Sequence, residues 1–189
     1  MKLFKLALAG ALLLATATGS AFAQTKEYLT IQLKDGPVVV ELRPDVAPKH
    51  VERIKALAAA GEYDNVAFHR VIEGFMAQTG DVQYGDMESG YKPQAAGTGG
   101  SSQPDIPAEF SDVPFERGTV GMARAQDPNS ANSQFFIMFA PAPSLNGQYT
   151  VVGKVVEGME NVDKIKRGDE ASNGAVTDPD RMIKVTVGK

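Results

Sequence analysis

From residue 28 to residue 42 the chain reads as two short β-favouring runs, 28–32 and 37–42, apolar or alternating, with Asp35-Gly36 between them. That dipeptide is a strong tight-turn signal, so the stretch predicts strand, turn, strand. Asp45 and Pro48 then open 49–60, where Val51, Ile54, Leu57 and Ala58 recur at helical spacing until Gly61 stops the run. A helix with one apolar face has to bury it, which predicts a helix packed on a sheet, with His50 on its surface and without function.

Residues 81–114 turn to Gly, Pro, Ser and Asp and lose apolar periodicity. A long loop of this kind within a compact chain tends to carry function. The cluster Gly97-Thr98-Gly99-Gly100-Ser101-Ser102 lacks the strand, helix and Gly-Lys-Ser/Thr of a phosphate loop, so nucleotide binding is not expected. Four further runs, 118–123, 134–139, 149–156 and 181–187, are rich in Val, Ile, Phe, Thr or Tyr and predict strands, with a short helix near 162–167. About eight strands and two or three helices fit a mostly-β fold: a closed eight-stranded antiparallel β-barrel capped by two or three α-helices. No internal repeat is visible.

The amino end follows a different logic. Lys2 and Lys5 precede an apolar run over 6–15 that leads to Ala21-Phe22-Ala23, the pattern of a secretory leader with an A-x-A cleavage site. The run falls short of the roughly 20 residues a spanning helix needs, so no stable membrane insertion is expected. The expected organisation is residues 1–23 as a cleavable leader and 24–189 as one domain, delivered to a bacterial periplasm with secretion as the alternative. Losing Lys2 and Lys5 takes the formal charge from −4 to −6, which argues against nucleic acid as a partner. There are no cysteines to form disulfides, so the core alone must hold the fold. Two histidines without cysteine do not make a typical zinc site, and Asp64, Asp81, Asp86 and Asp127 lack an EF-hand pattern. Neither metal nor cofactor is expected, and without a coiled coil the default is a monomer.

The candidate chemistry lies in two segments. Phe68-His69-Arg70-Val71-Ile72-Glu73-Gly74-Phe75-Met76-Ala77-Gln78 and Asn132-Ser133-Gln134-Phe135-Phe136-Ile137 set Arg70, Gln78 and Gln134 inside β-favouring apolar runs, where a half-buried strand would ordinarily carry aliphatics. These motifs and their spacing resemble cyclophilins, the β-barrel peptidyl-prolyl isomerases, and the similarity runs from about residue 29 to residue 165. An isolated strand arginine is usually a solvated face, and Phe75, Met76 and Phe136 would by default be core; the paired motifs reverse that reading.

The resemblance implies a peptidyl-prolyl cis-trans isomerase that acts on proline-containing segments of exported proteins. Arg70 would donate to the twisted X-Pro amide, and Gln78 would orient Arg70 and the substrate backbone. Phe75, Met76, Phe136 and Leu145 would line the proline pocket, and Tyr149 would pack on the ring. Ala123, Arg124 and Ala125 would lie along the groove, with the Arg124 backbone binding peptide, and Gln134 would add a polar edge. His69 would brace the strand or loop. Two other functional classes stand beside it: a proline-peptide binding module or holdase using the same groove without turnover, and a hydrolase, which two histidines away from any Gly-x-Ser-x-Gly do not support.

Two features mark this chain within the resemblance. Ser144 stands where many members carry the tryptophan important for cyclosporin binding, and Tyr149 where many carry histidine, so weak cyclosporin binding is expected with isomerase activity kept. The Arg124 charge at the groove rim would favour acidic or extended substrates. A test of the site comes from the turn: if Glu73-Gly74 were a two-residue turn, Arg70 would face Ala77 and Gln78 would point the other way. A shared face requires an extra residue in the connection, with Gly74 near a positive-φ position.

Overall fold

The alternation at the start of the chain becomes a hairpin in the computed structural model, which describes residues 26–188; the expected leader lies outside them. β1 (Tyr28–Leu33) buries Leu29, Ile31 and Leu33, and β2 (Gly36–Leu42) buries Val38, Val40 and Leu42. Leu33 pairs with Gly36, so the two-residue turn is Lys34-Asp35 and Gly36 opens the second strand.

Pro48 starts α1 (Pro48–Ala59), consistent with its fixed φ and missing N–H, and the helix buries Val51, Ile54, Leu57 and Ala58. Its amino end is sealed from a distance: the Glu109 carboxylate accepts the N–H groups of Lys49 and His50 and places Oε2 2.7 Å from His50 Nδ1. His50 is therefore buried, not on the surface as its local pattern predicts, because residues far along the chain cover that end of the helix.

The remaining elements are β3 (Val66–Ala67), β4 (Arg70–Ile72), β5 (Met76–Thr79), β6 (Thr119–Met122), β7 (Phe135–Met138), β8 (Val151–Glu157), α2 (Met159–Val162), β9 (Arg181–Met182) and β10 (Lys184–Gly188). Eight strands form one sheet in the order β10-β1-β2-β8-β6-β7-β5-β4, and β3 pairs with β9 beside it. Among the described residues the fold is mostly β with two α-helices. Among the described residues no ladder joins β10 to β4, so the closed barrel expected from the strand count is not made by the sheet itself. The β4 edge is covered instead by an irregular segment: Val71 N–H donates to Gly174 O, Gly168 N–H to Val71 O, and Val176 N–H to the carbonyl of His69. The second helix also lies ahead of the predicted 162–167; after Val162 the chain continues in tighter turns, Lys164 N–H to Asn161 O and Ile165 N–H to Val162 O.

The functional face is set by β7, which is buried on both sides. Phe135 and Ile137 enter the main core with Leu29, Val40 and Ile54, whereas Phe136 and Met138 enter a second apolar cluster with Met76, Phe115 and Val151. A continuous apolar run of this kind belongs to a strand with no solvated face.

Candidate functional site

The register of the sheet assembles the site. Arg70 pairs with Gln78, Gln78 with Phe136, Phe136 with Gly121 and Gly121 with Val151. Directly paired residues project from the same face, so β4, β5, β7, β6 and β8 contribute one continuous row. The row exists because the β4–β5 connection holds three residues. Ile72 pairs with Met76, leaving Glu73, Gly74 and Phe75 in the turn, with Gly74 at φ +69° and Phe75 N–H donating to Ile72 O at 3.1 Å. This is the irregular turn that a shared face for Arg70 and Gln78 requires.

At the polar end of the row, side chains form a directional line. Arg70 Nη1 donates to Gln78 Oε1 at 3.3 Å, Gln78 Nε2 to Gln134 Oε1 at 3.0 Å, and Gln134 Nε2 to Gly99 O at 2.8 Å. On its other side Arg70 donates through Nε to Asn173 O at 3.0 Å and through Nη2 to Asn173 Oδ1 at 3.1 Å. All three acceptors are neutral, so the guanidinium is fixed in direction without losing its charge to a carboxylate. Partial burial pulls its pKa below the ordinary value, and arginine still keeps its proton. Arginine has five N–H donors; these contacts take three and leave two on the Nη atoms.

The other end is a cavity of about 200 Å³ lined by Arg70, Gln78 and Arg124 together with the apolar and aromatic side chains of Phe75, Met76, Ala123, Phe136, Leu145 and Tyr149. Phe136 stacks on Phe115 at 5.8 Å between centroids and meets Tyr149 edge-on at 5.8 Å. Gly121 permits that stack: a Cβ there would come within 2.6 Å of both rings. A second cavity of about 360 Å³ shares Gln78, Ala123 and Arg124 and extends over Gly97–Gly99, Ala125 and Gln134. The residues singled out in the sequence thus surround one continuous groove, with Gln134 and Ala125 on the second cavity and the others on the first.

The comparison with known proteins follows from this geometry. The model of the cyclophilin type peptidyl-prolyl cis-trans isomerase family matches residues 28–187. The chain belongs to that family. A probable peptidyl-prolyl cis-trans isomerase of Brucella suis biovar 1 is 60% identical over 191 residues, which span 99% of this chain and 97% of the relative. A cyclophilin type peptidyl-prolyl cis-trans isomerase of Cryptosporidium parvum, solved by crystallography, is 28% identical and superposes with a TM-score of 0.74 over 87% of this chain and 99% of its own. A second crystal structure of that protein, in the presence of the dipeptide Ala-Pro, gives 29% identity and a TM-score of 0.72 over 86% and 99%.

Within this cyclophilin fold, two residues that the sequence reading missed hold the site. Asn173 receives Arg70 twice; it lies 103 residues away and is marked in the sequence only by the following Gly174. Asp81 is fully buried, and its carboxylate accepts the N–H groups of Gln83, Tyr84, Gly97 and Gly99 at 2.7–3.1 Å, fixing the loop that meets Gln134. Its position at the mouth of a polar loop was the available signal. His69 is buried beneath Gly97, with neither ring nitrogen hydrogen-bonded among the described residues, and burial lowers its pKa. The Arg124 side chain lines both cavities, with its guanidinium folded back onto backbone carbonyls. Among the described residues no group of three or more His, Cys, Asp or Glu side chains is placed to hold a metal ion.

Proposed function

We propose that the chain catalyses rotation about X-Pro bonds, with Arg70 as the electrostatic catalyst. The uncatalysed barrier, about 20 kcal/mol, comes from amide resonance, so the reaction needs no nucleophile, base or metal. As the bond twists, the proline nitrogen pyramidalises and its lone pair localises. A guanidinium N–H aimed at that nitrogen stabilises the twisted state, and a preorganised donor of this type is worth about 2.7–4 kcal/mol. The observation that carries this reading is the Arg70 guanidinium, held at three neutral acceptors beside a cavity walled by Phe75, Met76, Phe136, Leu145 and Tyr149, with two donors left over. Phe75, Met76, Phe136, Leu145 and Tyr149 take the proline ring. Gln78 orients Arg70, and the Ala123–Ala125 backbone with Gln134 receives the flanking peptide.

The leader-like segment at 1–23 supports an exported isomerase whose clients are folding polypeptides, for which X-Pro steps are slow. The working form is residues 24–189, a monomer of one domain in the periplasm. Ser144 lies exposed in the 3-10 turn Pro143–Leu145 at the rim of the cavity and offers neither an indole donor nor a large apolar surface, which supports weak cyclosporin binding. The test is isomerisation of a short X-Pro reporter peptide by residues 24–189 and by the Arg70→Ala variant at matched folding. The expected result is fast turnover that falls by about two or more orders of magnitude in the variant. A folded wild type without turnover would leave only a proline-peptide binding module.

A further inference from the structure

We infer that the Arg124 side chain is a positioning residue for the proline pocket: its guanidinium clamps Tyr149 into the wall against which the substrate ring packs. The inference rests on the isomerase reading and extends it to the Arg124 side chain, which lines both cavities of the groove.

Among the described residues every polar contact of that guanidinium is to backbone. Nε and Nη2 donate to Gln148 O at 3.3 and 3.0 Å, and Nη1 donates to Ala125 O at 2.9 Å and Gln126 O at 3.2 Å. Its Cζ lies 4.5 Å from the centre of the Tyr149 ring, within cation–π range. One side chain therefore ties 124–126 to 148–149 and covers the ring, which is held elsewhere by edge contacts with Phe136 and Phe115 at 5.8 and 6.5 Å.

The clamp acts where the chain leaves an exposed turn and enters the sheet. It follows the exposed residues Asn146, Gly147 and Gln148, ahead of β8, and its N–H reaches Leu145 O at 3.2 Å. Without the guanidinium, a half-buried ring at the end of an exposed turn would have more rotamers to give up when substrate binds. A planar, always-charged fork that meets several carbonyls while stacking on an aromatic face is something arginine supplies and lysine does not. Arg124 never approaches the twisting bond in this scheme, so the clamp acts on binding and leaves the Arg70 chemistry alone.

The test measures the affinity of a short Ala-Pro peptide by NMR titration, and its catalysed exchange at saturating peptide, for the wild type, Arg124→Ala, Arg124→Lys, Tyr149→Ala and the Arg124→Ala/Tyr149→Ala double variant, with melting curves for each. Both Arg124 variants should weaken affinity about fivefold with exchange at saturation within about twofold, and Arg124→Ala should change affinity by less than about twofold when Tyr149 is already alanine. The lysine variant keeps the charge and chain length, which protects the test against loss of folding. Unchanged affinity in both single variants, or an equal loss in the Tyr149→Ala background, would overturn the clamp. A wild type that binds peptide without catalysed exchange would instead overturn the isomerase reading, while the affinity arms still decide the clamp.

Discussion

On one side of the groove, Gln78 sits on a central strand, laddered to β4 and β7, while the adjacent Phe136 and Phe135 pack into apolar clusters on opposite faces of β7. On the other side, Gly99 is held through its N–H by the Asp81 carboxylate and through its carbonyl by Gln134. The rest of that loop side hangs on a few comparable contacts: Asn132 Oδ1 accepts from Ser101 N and Oγ, and Arg53 reaches Gln103, Ser101, Pro104 O and Asn132 O. The sheet side gains its geometry from a register that many residues share. The loop side gains it from a handful of polar side chains, each of which can be removed singly. Catalysis that depends on the direction of a donor therefore sits on the sheet, and the part of the groove that meets variable flanking residues sits on the loop.

The sharpest way to separate the two sides is to remove one group from each. Arg70→Ala should lower turnover by about a hundred- to thousandfold and leave the melting temperature close to wild type, since Arg70 is only partly buried and its strand keeps its ladder. Asp81→Ala should do the reverse. It removes the acceptor of four part-buried backbone N–H groups, at a cost of about 1–3 kcal/mol in stability, and should raise KM by loosening the second cavity with kcat largely kept. Urea unfolding and reporter kinetics on both variants check the contrast, and a large kcat loss in Asp81→Ala with KM unchanged would erase it.

The same division explains how far the sequence could be read. Strand alternation in β1 and β2, the helical spacing of Val51, Ile54 and Leu57, and the need for a bulged turn at Gly74 are local signals, and the structure carries all three. The grouping of Arg70, Gln78 and Phe136 was legible from the paired motifs because they fall on adjoining strands. Hidden from the sequence were contacts made by loops with distant partners: Glu109 closing α1 and burying His50, Asp81 gathering Gly97 and Gly99, and Asn173 receiving Arg70. Such side-chain to backbone bonds obey no period. The open edge between β10 and β4 was missed for a related reason, since the residues that cover β4 do so without forming a strand.

Asn173 belongs to neither side and gives an intermediate test. It sits at φ +54°, a left-handed position, so replacement by alanine would mix backbone strain with loss of the acceptor. Asn173→Gly keeps the backbone angle and removes the side chain with its acceptor Oδ1, leaving the carbonyl that accepts Arg70 Nε. Losing one charge-assisted bond of about 1.5 kcal/mol should lower kcat/KM roughly tenfold with little change in stability. An unchanged rate would show that the sheet and Gln78 suffice to aim Arg70.

The smallest expected effect is a pH dependence at the junction of the two sides. His69 sits on the sheet side, under Gly97 of the loop; burial lowers its pKa first and foremost, the Asp81 charge opposes that shift, and the Arg70 charge adds to it. A buried histidine with a depressed pKa binds fewer protons folded than unfolded, so its contribution to stability is present above the ordinary value near 6.5 and is lost as pH falls through the window down to the folded value. His50 shifts in the same direction, again chiefly through burial, with Glu109 opposing. These are the two histidines of the chain. Glu109 and Asp163 have lowered pKa values and yield their stability only at more acid pH, below the ordinary carboxylate range. Urea midpoints at pH 7.5 and 5.5 should therefore fall with pH in the wild type, and the drop should shrink in His69→Gln whatever that variant does to stability at pH 7.5. An equal drop in both proteins would assign the acid sensitivity to His50 at the amino end of α1, and the loop would then be tied to the sheet by Asp81 without a titrating contact beneath it.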